Sequence, residues 1–184
     1  MSHADTTTDK AVVAARAAPA SERRRGLAAV YDERAQVLVL GSFPGLASLA
    51  QRQYYAHPRN QFWPIIGRLL ACDLLALPYE QRLQAAKDGR IAIWDAIDSC
   101  VRPGSLDSNI EQADVNKLSE LIERLPGLRA VAFNGRQAAQ RGLAHIPHLR
   151  KRLALLELPS TSPANAILRI DQKFERWRAL NCYL

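Results

Sequence analysis

The sequence predicts an α/β fold in which a parallel sheet is covered by helices on both faces. Four short β-favouring runs recur along the chain, at residues 36–40, 90–94, 129–133 and 153–158. Helical hydrophobic patterns lie between them, and strands that alternate with helices in this way form parallel sheets. The last run is closed by Pro159 and the third by Asn134 and Gly135, residues that end strands in turns.

The helical patterns cover residues 61–71, 79–87, 115–124, 136–143 and 167–180. In the last of them, five apolar side chains fall on one face: Ile167, Ile170, Phe174, Trp177 and Leu180. We expect that face to pack into the core.

Length and composition predict a single domain with a tail. The chain has 184 residues, of which 48% are hydrophobic and 23% charged, enough to bury a core without disulfides. Residues 1–22 resemble a mobile tail, and residues 23–184 are expected to form the domain. The longest uncharged apolar runs, such as 37–40, are too short to cross a bilayer, which argues against a membrane protein.

The charge is +7, and residues 1–35 contribute only +1 of it. A basic folded body favours polyanionic partners, nucleic acid first, although a basic protein without such a partner remains an alternative. Three dispersed cysteines, Cys72, Cys100 and Cys182, predict buried, reduced thiols and no zinc or iron–sulfur site. Without the apolar stretch of a signal peptide, the chain is expected to be cytoplasmic.

In parallel α/β folds the working residues lie on loops at the carboxyl ends of strands. Four such segments stand out. They read GSFPG at 41–45, QYYAHPRNQFWP at 53–64, WDAID at 94–98 followed by RPGSLDS at 102–108, and LPSTSPAN at 158–165. The second combines three aromatic residues with a histidine, an arginine and an asparagine, a mixture suited to stacking and hydrogen bonding.

Three of these motifs, GSFPG, YYAHPRNQFW and LPSTSPAN, together resemble the uracil-DNA glycosylase superfamily, and within it the hypoxanthine-DNA (deoxyinosine) glycosylase branch. The likeness spans residues 36–181. It implies a three-layer α/β/α sandwich around a four-stranded parallel sheet. It also implies a monomeric, monofunctional enzyme without cofactor, metal or lyase activity, which flips a deaminated base, hypoxanthine first, out of double-stranded DNA and hydrolyses its bond to the sugar.

Two alternatives stay open at this point. One is a uracil or mixed-specificity glycosylase of the same fold, and the other is a DNA- or nucleotide-binding module without catalysis. The second is kept because two usual catalytic positions of the superfamily hold Phe43 and Leu158 here. An enzyme of this kind is expected to associate with the nucleoid when it acts.

The resemblance also implies roles for single residues. The catalytic function passes to Asn60, whose amide orients water or donates to the leaving base, with Ser42 as the nearest polar group of the first motif. The alternative is that Asn60 caps the helix that follows it.

The implied base-binding residues lie in the first three segments. They are Gly41, Phe43, Tyr55, His57 and Asp95. Tyr55 matches the aromatic residue that stacks on the extruded base, unless its ring belongs to the core. Phe43 is expected to offer its backbone N–H and to pack beneath the pocket. For His57 and Asp95, fixing neighbouring loops is an equal alternative.

The implied DNA-binding residues are Arg59, Ser160, Thr161, Ser162 and Asn165. Arg59 contacts either a phosphate or a surface carboxylate. The hydroxyl residues suit a loop that grips phosphates, and the alternative is that they cap the last helix. Ser162 stands where uracil-specific enzymes carry a bulky leucine wedge.

Overall fold

A four-stranded parallel sheet forms the centre of the computed structural model, which describes residues 22–184. The strands in chain order are β1 (Arg23–Arg25), β2 (Val37–Gly41), β3 (Ile91–Asp95), β4 (Ile97–Val101), β5 (Glu111–Val115), β6 (Ala130–Asn134) and β7 (Ala154–Leu158). The central sheet has the order β3-β2-β6-β7, and every neighbouring pair in it is parallel.

The four predicted strands are confirmed, with most ends shifted by one residue. Every residue of β2 is buried, and β3 and β6 are nearly so. Strands of a parallel sheet are covered on both faces, so they carry continuous apolar runs that can be recognised in the sequence.

The helices in chain order are α1 (Leu46–Gln51), α2 (Phe62–Leu69), α3 (Tyr79–Asp88), α4 (Leu118–Glu123), α5 (Arg136–Leu143) and α6 (Ile170–Trp177). Helices α4 and α5 contribute to one core cluster, which includes Leu38 and Leu40 of β2. Helices α2, α3 and α6 contribute to another, which includes Val37 and Val39 of the same strand. The alternating residues of one strand therefore pack against two helical layers, and the predicted α/β/α sandwich is confirmed.

A second, antiparallel sheet was not predicted. It has the order β1-β4-β5, with β4 in the middle. Its outer strands read RRR and EQADV, which lack the apolar alternation of a half-buried strand. The segment between β4 and β5 is the loop that begins at Arg102, and it reaches the carboxyl ends of the central strands.

Two predictions about helices are corrected. The helix predicted from residue 115 begins at Leu118, because Val115 ends β5 and pairs with Ile97. Ile167 does not lie on the core face of the last helix: it precedes that helix and is 90% exposed. The helix begins later because the backbone N–H of Arg169 donates to the Gln172 side chain at 2.9 Å and fixes the first turn.

The cysteine prediction is also partly wrong. Cys100 is buried in a small cluster with Phe43, but Cys72 and Cys182 are exposed. The predicted tail, apart from Glu22, lies outside the described residues. No helix found in residues 22–184 is both long enough and apolar enough to cross a membrane.

Candidate active site

The carboxyl ends of the central strands border a cavity of about 350 Å³. Eleven of the twelve site residues predicted from the sequence line it: Gly41, Ser42, Phe43, Tyr55, His57, Asn60, Asp95, Ser160, Thr161, Ser162 and Asn165. The twelfth, Arg59, is exposed and lies outside the lining. The four segments singled out in the sequence therefore meet around one cavity.

Gly41 and Asp95 form a buried part of the cavity wall, because they are register partners at the ends of β2 and β3. Asp95 is 4% exposed, and its Oδ2 has no hydrogen-bond partner within the described part of the chain. Burial raises the pKa of Asp95 to about 7; the charge of Asp107 adds to the rise and Arg102 opposes it. Near neutral pH this carboxyl is partly protonated, so it can donate as well as accept a hydrogen bond.

Tyr55 brings an aromatic ring to the same cavity. The ring stacks on Phe62 with centroids 3.8 Å apart, and Phe62 contacts two buried tryptophans edge-on. The buried hydroxyl of Tyr55 has no hydrogen-bond partner of normal geometry within residues 22–184. Burial and the nearby Asp95 raise the pKa of this hydroxyl, and the nearby Asn134 partly opposes the rise. Tyr55 adopts φ 54°, a left-handed backbone conformation that strains a bulky residue and is typical of functional sites.

Asn60 lies two residues before the first residue of α2, and Gln61 between them is the N-cap. The Oδ1 of Asn60 accepts a hydrogen bond from the backbone N–H of Phe62 at 3.0 Å, so Asn60 satisfies a free N–H at the helix terminus without being its cap. His57 fixes the preceding turn: its Nδ1 accepts from the N–H of Arg59 at 3.1 Å, and its carbonyl accepts from the N–H of Asn60 at 2.8 Å. The side-chain Nδ2 of Asn60 takes no part in these contacts.

A buried arginine ties the first loop to the segment after β4. Arg102 is 1% exposed; its guanidinium lies 4.9 Å from the centre of the Phe43 ring and donates to the carbonyl of Pro44. Its Nη1 is 3.4 Å from Asp107 Oδ1, and the hydroxyl of Ser42 donates to Asp107 Oδ2. Both oxygens of the Asp107 carboxylate are therefore held in place.

Hydrogen bonds hold the loop after β7 on two sides. Thr161 in this loop is fully buried and forms two hydrogen bonds with Asn134 at the end of β6. Asn134 Nδ2 donates to Thr161 Oγ1 at 2.9 Å, and Asn134 Oδ1 accepts from the Thr161 N–H at 2.8 Å. The carbonyl of Thr161 accepts from the N–H of Gln61 at 3.0 Å. The side chain of Thr161 thus anchors the loop against the segment that carries Asn60.

Ser160 and Asn165 shape the rest of this loop. The Nδ2 of Asn165 donates to the carbonyl of Ser160 at 3.1 Å, and Ser160 Oγ accepts from the N–H of Ser162 at 3.2 Å. Lys173, 1% exposed, donates to the carbonyl of Asn165 at 2.8 Å. Because α6 begins only at Ile170, these hydroxyls do not cap the last helix.

A second cavity of about 540 Å³ adjoins the first. Four residues line both: Asp107, Asn134, Ser160 and Asn165. The second cavity adds Arg136, Arg176 and the exposed Ile167. The junction of the two cavities is therefore bordered by a carboxylate, two amides and a hydroxyl.

Sequence reasoning did not assign roles to Arg102 and Asp107. Their segment was recognised as a loop at the end of a strand. An acidic residue in such a loop was the sequence feature that could have indicated a functional role for Asp107. Their connection to Ser42 and Phe43 depends on a tertiary contact across 65 residues of chain. No three His, Cys, Asp or Glu side chains of residues 22–184 are grouped in a way that would hold a metal ion.

Comparison with known families agrees with this geometry. The family model for the uracil DNA glycosylase superfamily matches residues 28–181, nearly the whole described chain. The chain belongs to the uracil DNA glycosylase superfamily. The resemblance in the sequence is thereby confirmed, and the cavity described above is the candidate active site of a superfamily member.

Relatives found by sequence comparison carry a name more specific than that of the superfamily. A protein named hypoxanthine DNA glycosylase from Methanosarcina acetivorans is 36% identical over 162 residues, which cover 85% of this chain and 97% of that protein. One of the same name from Methanosarcina barkeri is 36% identical over 118 residues, 64% of this chain and 75% of that protein.

A solved structure shares the fold of this superfamily member. It is the solution NMR structure of a Methanosarcina acetivorans protein provisionally named a uracil DNA glycosylase. The two chains superpose with a TM-score of 0.73 at 36% identity, over 87% of this chain and 99% of the other.

Proposed function

We propose that this protein is a DNA glycosylase that flips hypoxanthine out of double-stranded DNA and hydrolyses the bond between base and sugar. The observation that carries the proposal is the cavity, where an unpartnered carboxyl, a stacked aromatic ring and an asparagine amide converge. Its volume of about 350 Å³ is in the range of small-ligand sites. The names of the two relatives support hypoxanthine as the base.

The base is selected on its hydrogen-bonding edge. Hypoxanthine carries a carbonyl oxygen at position 6 and an N–H at position 1. The carboxyl of Asp95 accepts from that N–H, and the backbone N–H of Phe43 donates to the carbonyl. Adenine would place its amino group against the Phe43 N–H, so that two donors face each other and neither has an acceptor. This loss excludes the normal base. The ring of Tyr55, backed by Phe62, stacks on the base.

The Asn60 amide stabilises the departing base. Its oxygen is engaged by the Phe62 N–H, so the Nδ2 hydrogens are the part of the side chain left for the substrate. Negative charge gathers on the base as its bond to the sugar breaks, and a positioned N–H donor stabilises that charge. Of the two roles that the sequence left open, we assign Asn60 donation to the leaving base, because both Nδ2 hydrogens remain outside the contact with Phe62.

DNA lies across the mouth of the two cavities. Arg59 is exposed beside the first, and Arg136 and Arg176 line the second. Ser160, Ser162 and Asn165 border the opening, and Thr161 contributes by anchoring their loop. A monomer built from residues 23–184 provides this whole surface, and the activity belongs on chromosomal DNA in the nucleoid.

Uracil remains a second candidate base. The solved structure with the same fold is provisionally named a uracil DNA glycosylase, and uracil offers the same N–H and carbonyl pattern on its pairing edge. Phe43 and Asp95 would read that pattern equally. The ring of Tyr55 and the volume of the cavity would then determine whether the site prefers a one-ring or a two-ring base.

The test uses duplexes that differ in one nucleotide: deoxyinosine, deoxyuridine or deoxyadenosine. After incubation, hot alkali cleaves any abasic site, and free base is identified by chromatography. We expect alkali-dependent cleavage of the deoxyinosine strand, no cleavage before alkali and none of the deoxyadenosine strand. Comparable release of uracil would establish mixed specificity. Tight binding without release of any base would indicate a binding module and refute the proposal.

A further inference from the structure

The hydrolysis needs a water molecule on the face of the sugar opposite the base. Neither residue of the first motif can take a proton from this water, since Phe43 carries no polar side-chain atom and Ser42 donates its hydroxyl to Asp107. Asn60 cannot take the proton either, because an amide is not a base. Another side chain must therefore act as the base.

Asp107 is placed where this proton acceptor is needed. It lines both the base-sized cavity and the adjoining one with its two arginines. In the binding mode proposed above, a flipped nucleotide has its base in the first cavity and its phosphates along the second, which puts its sugar at the junction. Asp107 borders that junction, and its side chain is 31% exposed, which leaves it open to solvent and substrate.

The Asp107 carboxylate is also oriented. Ser42 donates to one oxygen, and the guanidinium of the fully buried Arg102 lies 3.4 Å from the other. A carboxylate can accept about four hydrogen bonds, so these two contacts leave acceptor positions free for water. The partners belong to two different segments, and the buried position of Arg102 prevents the carboxylate from swinging away.

We propose, on the basis of the function proposed above, that Asp107 holds the attacking water and takes its proton, with Ser42 and Arg102 positioning the carboxylate. The bond between the sugar C1′ and the base N9 breaks, and its electron pair leaves with the base. The water oxygen bonds to C1′ while one water proton passes to Asp107. That proton returns through solvent to the departing base, so one water is consumed and the products are hypoxanthine and an abasic site.

The two carboxyl groups of the cavity then have different tasks. Asp95 is buried and without a partner, and the charge of Asp107 contributes to its raised pKa. Asp107 is paired with a cation and partly solvated. The buried Asp95 is therefore suited to a hydrogen bond with the base, and the partly exposed, oriented Asp107 to contact with water.

The experiment measures single-turnover excision and duplex affinity for Asp107→Asn, which keeps the side chain's shape and an oxygen for Ser42. We expect the rate on deoxyinosine duplex to fall about 100-fold or more, the usual effect of losing a general base. Affinity should stay equal or become tighter, because a negative charge near the DNA is removed. Asp171→Asn removes the same charge from an exposed position outside both cavities and should keep the wild-type rate.

Asp107→Ala is measured beside it, with and without formate. Restoration of turnover by this small carboxylate would support the base role even if one variant is less stable. A wild-type rate in folded Asp107→Asn would refute the inference while leaving the proposed function intact. A wild-type protein that releases no base from any duplex would overturn both. Ser42→Ala should lose rate with unchanged affinity, and a shift in affinity alone would contradict its positioning role.

Discussion

The carboxyl of Asp95 packs against the α-carbon of Gly41, its register partner on the neighbouring strand. A β-carbon at position 41 would overlap Asp95 Oδ1 and would come within 3.4 Å of the Tyr55 hydroxyl. The missing side chain therefore gives the carboxyl its place in the cavity wall. The backbone of Gly41 is ordinary for a strand, so close approach, and not conformational freedom, is the reason for glycine here.

The first prediction follows from this contact. Gly41→Ala should displace the Asp95 carboxyl and lower single-turnover excision of hypoxanthine by about 100-fold, the size expected when one positioned hydrogen-bonding group is lost. Gly45→Ala is the matched control: it belongs to the same GSFPG motif and lines the same cavity, but apart from its chain neighbours no atom of residues 22–184 lies within 4 Å of a β-carbon there. Equal rates for the two variants would contradict the role of the contact.

The second prediction concerns stability against pH. The pKa of Asp95 is about 7 in the folded protein, against about 3.9 in an unfolded chain. Since the pKa is higher in the folded protein, the protonated Asp95 carboxyl contributes to the free energy of unfolding. That contribution is fully present below about pH 4 and is lost as pH rises through 7. A shift of about three units corresponds to roughly 4 kcal/mol at 1.36 kcal/mol per unit.

Asp95→Asn removes this titration. The free energy of unfolding of the wild type, minus that of the variant, should fall by a few kcal/mol between pH 4 and pH 8. Urea denaturation at a series of pH values measures both curves. Curves that stay parallel over this range would show that the Asp95 carboxyl ionises freely in the folded protein.

The third prediction separates the two roles of Asn60. Asn60→Asp keeps an oxygen for the Phe62 N–H but loses the Nδ2 donors, so it should fold normally and lose most turnover. Asn60→Ala loses both and should also lose about 1 kcal/mol of stability, because the hydrogen bond to the Phe62 N–H is removed. Duplex affinity should persist in both. Full activity of Asn60→Asp would leave the residue with a structural role alone.

The fourth prediction concerns Tyr55. Tyr55→Phe keeps the ring on Phe62 and removes a buried hydroxyl without a partner, so stability should stay the same or rise. Tyr55→Ala should weaken binding to deoxyinosine duplex by about 1–3 kcal/mol, the contribution of one stacked base. Binding to undamaged duplex should not change, and titration of both duplexes with each variant measures the difference. A matching loss on undamaged DNA would place the ring in general DNA binding.

The fifth prediction concerns the charge that engages DNA. Each neutralised phosphate changes the slope of log affinity against log salt by about −0.9. Residues 1–22 carry two basic and three acidic side chains, so their deletion should leave the slope unchanged. Arg59→Ala should reduce it by about one unit. Arg34→Ala is the control, because Arg34 is paired with Asp32 at 2.7 Å. Loss of duplex binding on deletion would locate the contact surface in the tail.

The sequence predicted the central sheet and most of the cavity because both leave local signals. Buried parallel strands are apolar runs, and the loops at their ends must carry the polar residues of a site. Asp95 could be found because it stands at such an end, and Tyr55 because its segment, 53–64, is dense in aromatic and polar residues. Ile167 was misplaced because its apolar spacing continues the helical pattern, whereas the turn before α6 depends on a side-chain contact to Arg169.

The Asp107 carboxylate could not be assigned for a different reason. Its position depends on Ser42 and on Arg102, which is buried by packing against Phe43 from another segment. The small sheet that carries its loop is largely polar, so no hydrophobic period marks its strands. Contacts between distant, polar segments leave no local pattern in the sequence.

The three arginines of β1 limit how far this protein can be truncated at its N-terminal side. They look like a cationic arm, but their backbone pairs with residues 99–101 of β4, and Arg23 also forms an ion pair with Asp114 of β5. A chain that starts at Gly26 would leave β4 as an unprotected edge, open to pairing with other molecules. The hairpin that holds Asp107 would then open more easily than the rest of the fold. Such a shortened enzyme should lose activity on warming well before its central sheet melts, and a soluble, active version should begin no later than Arg23.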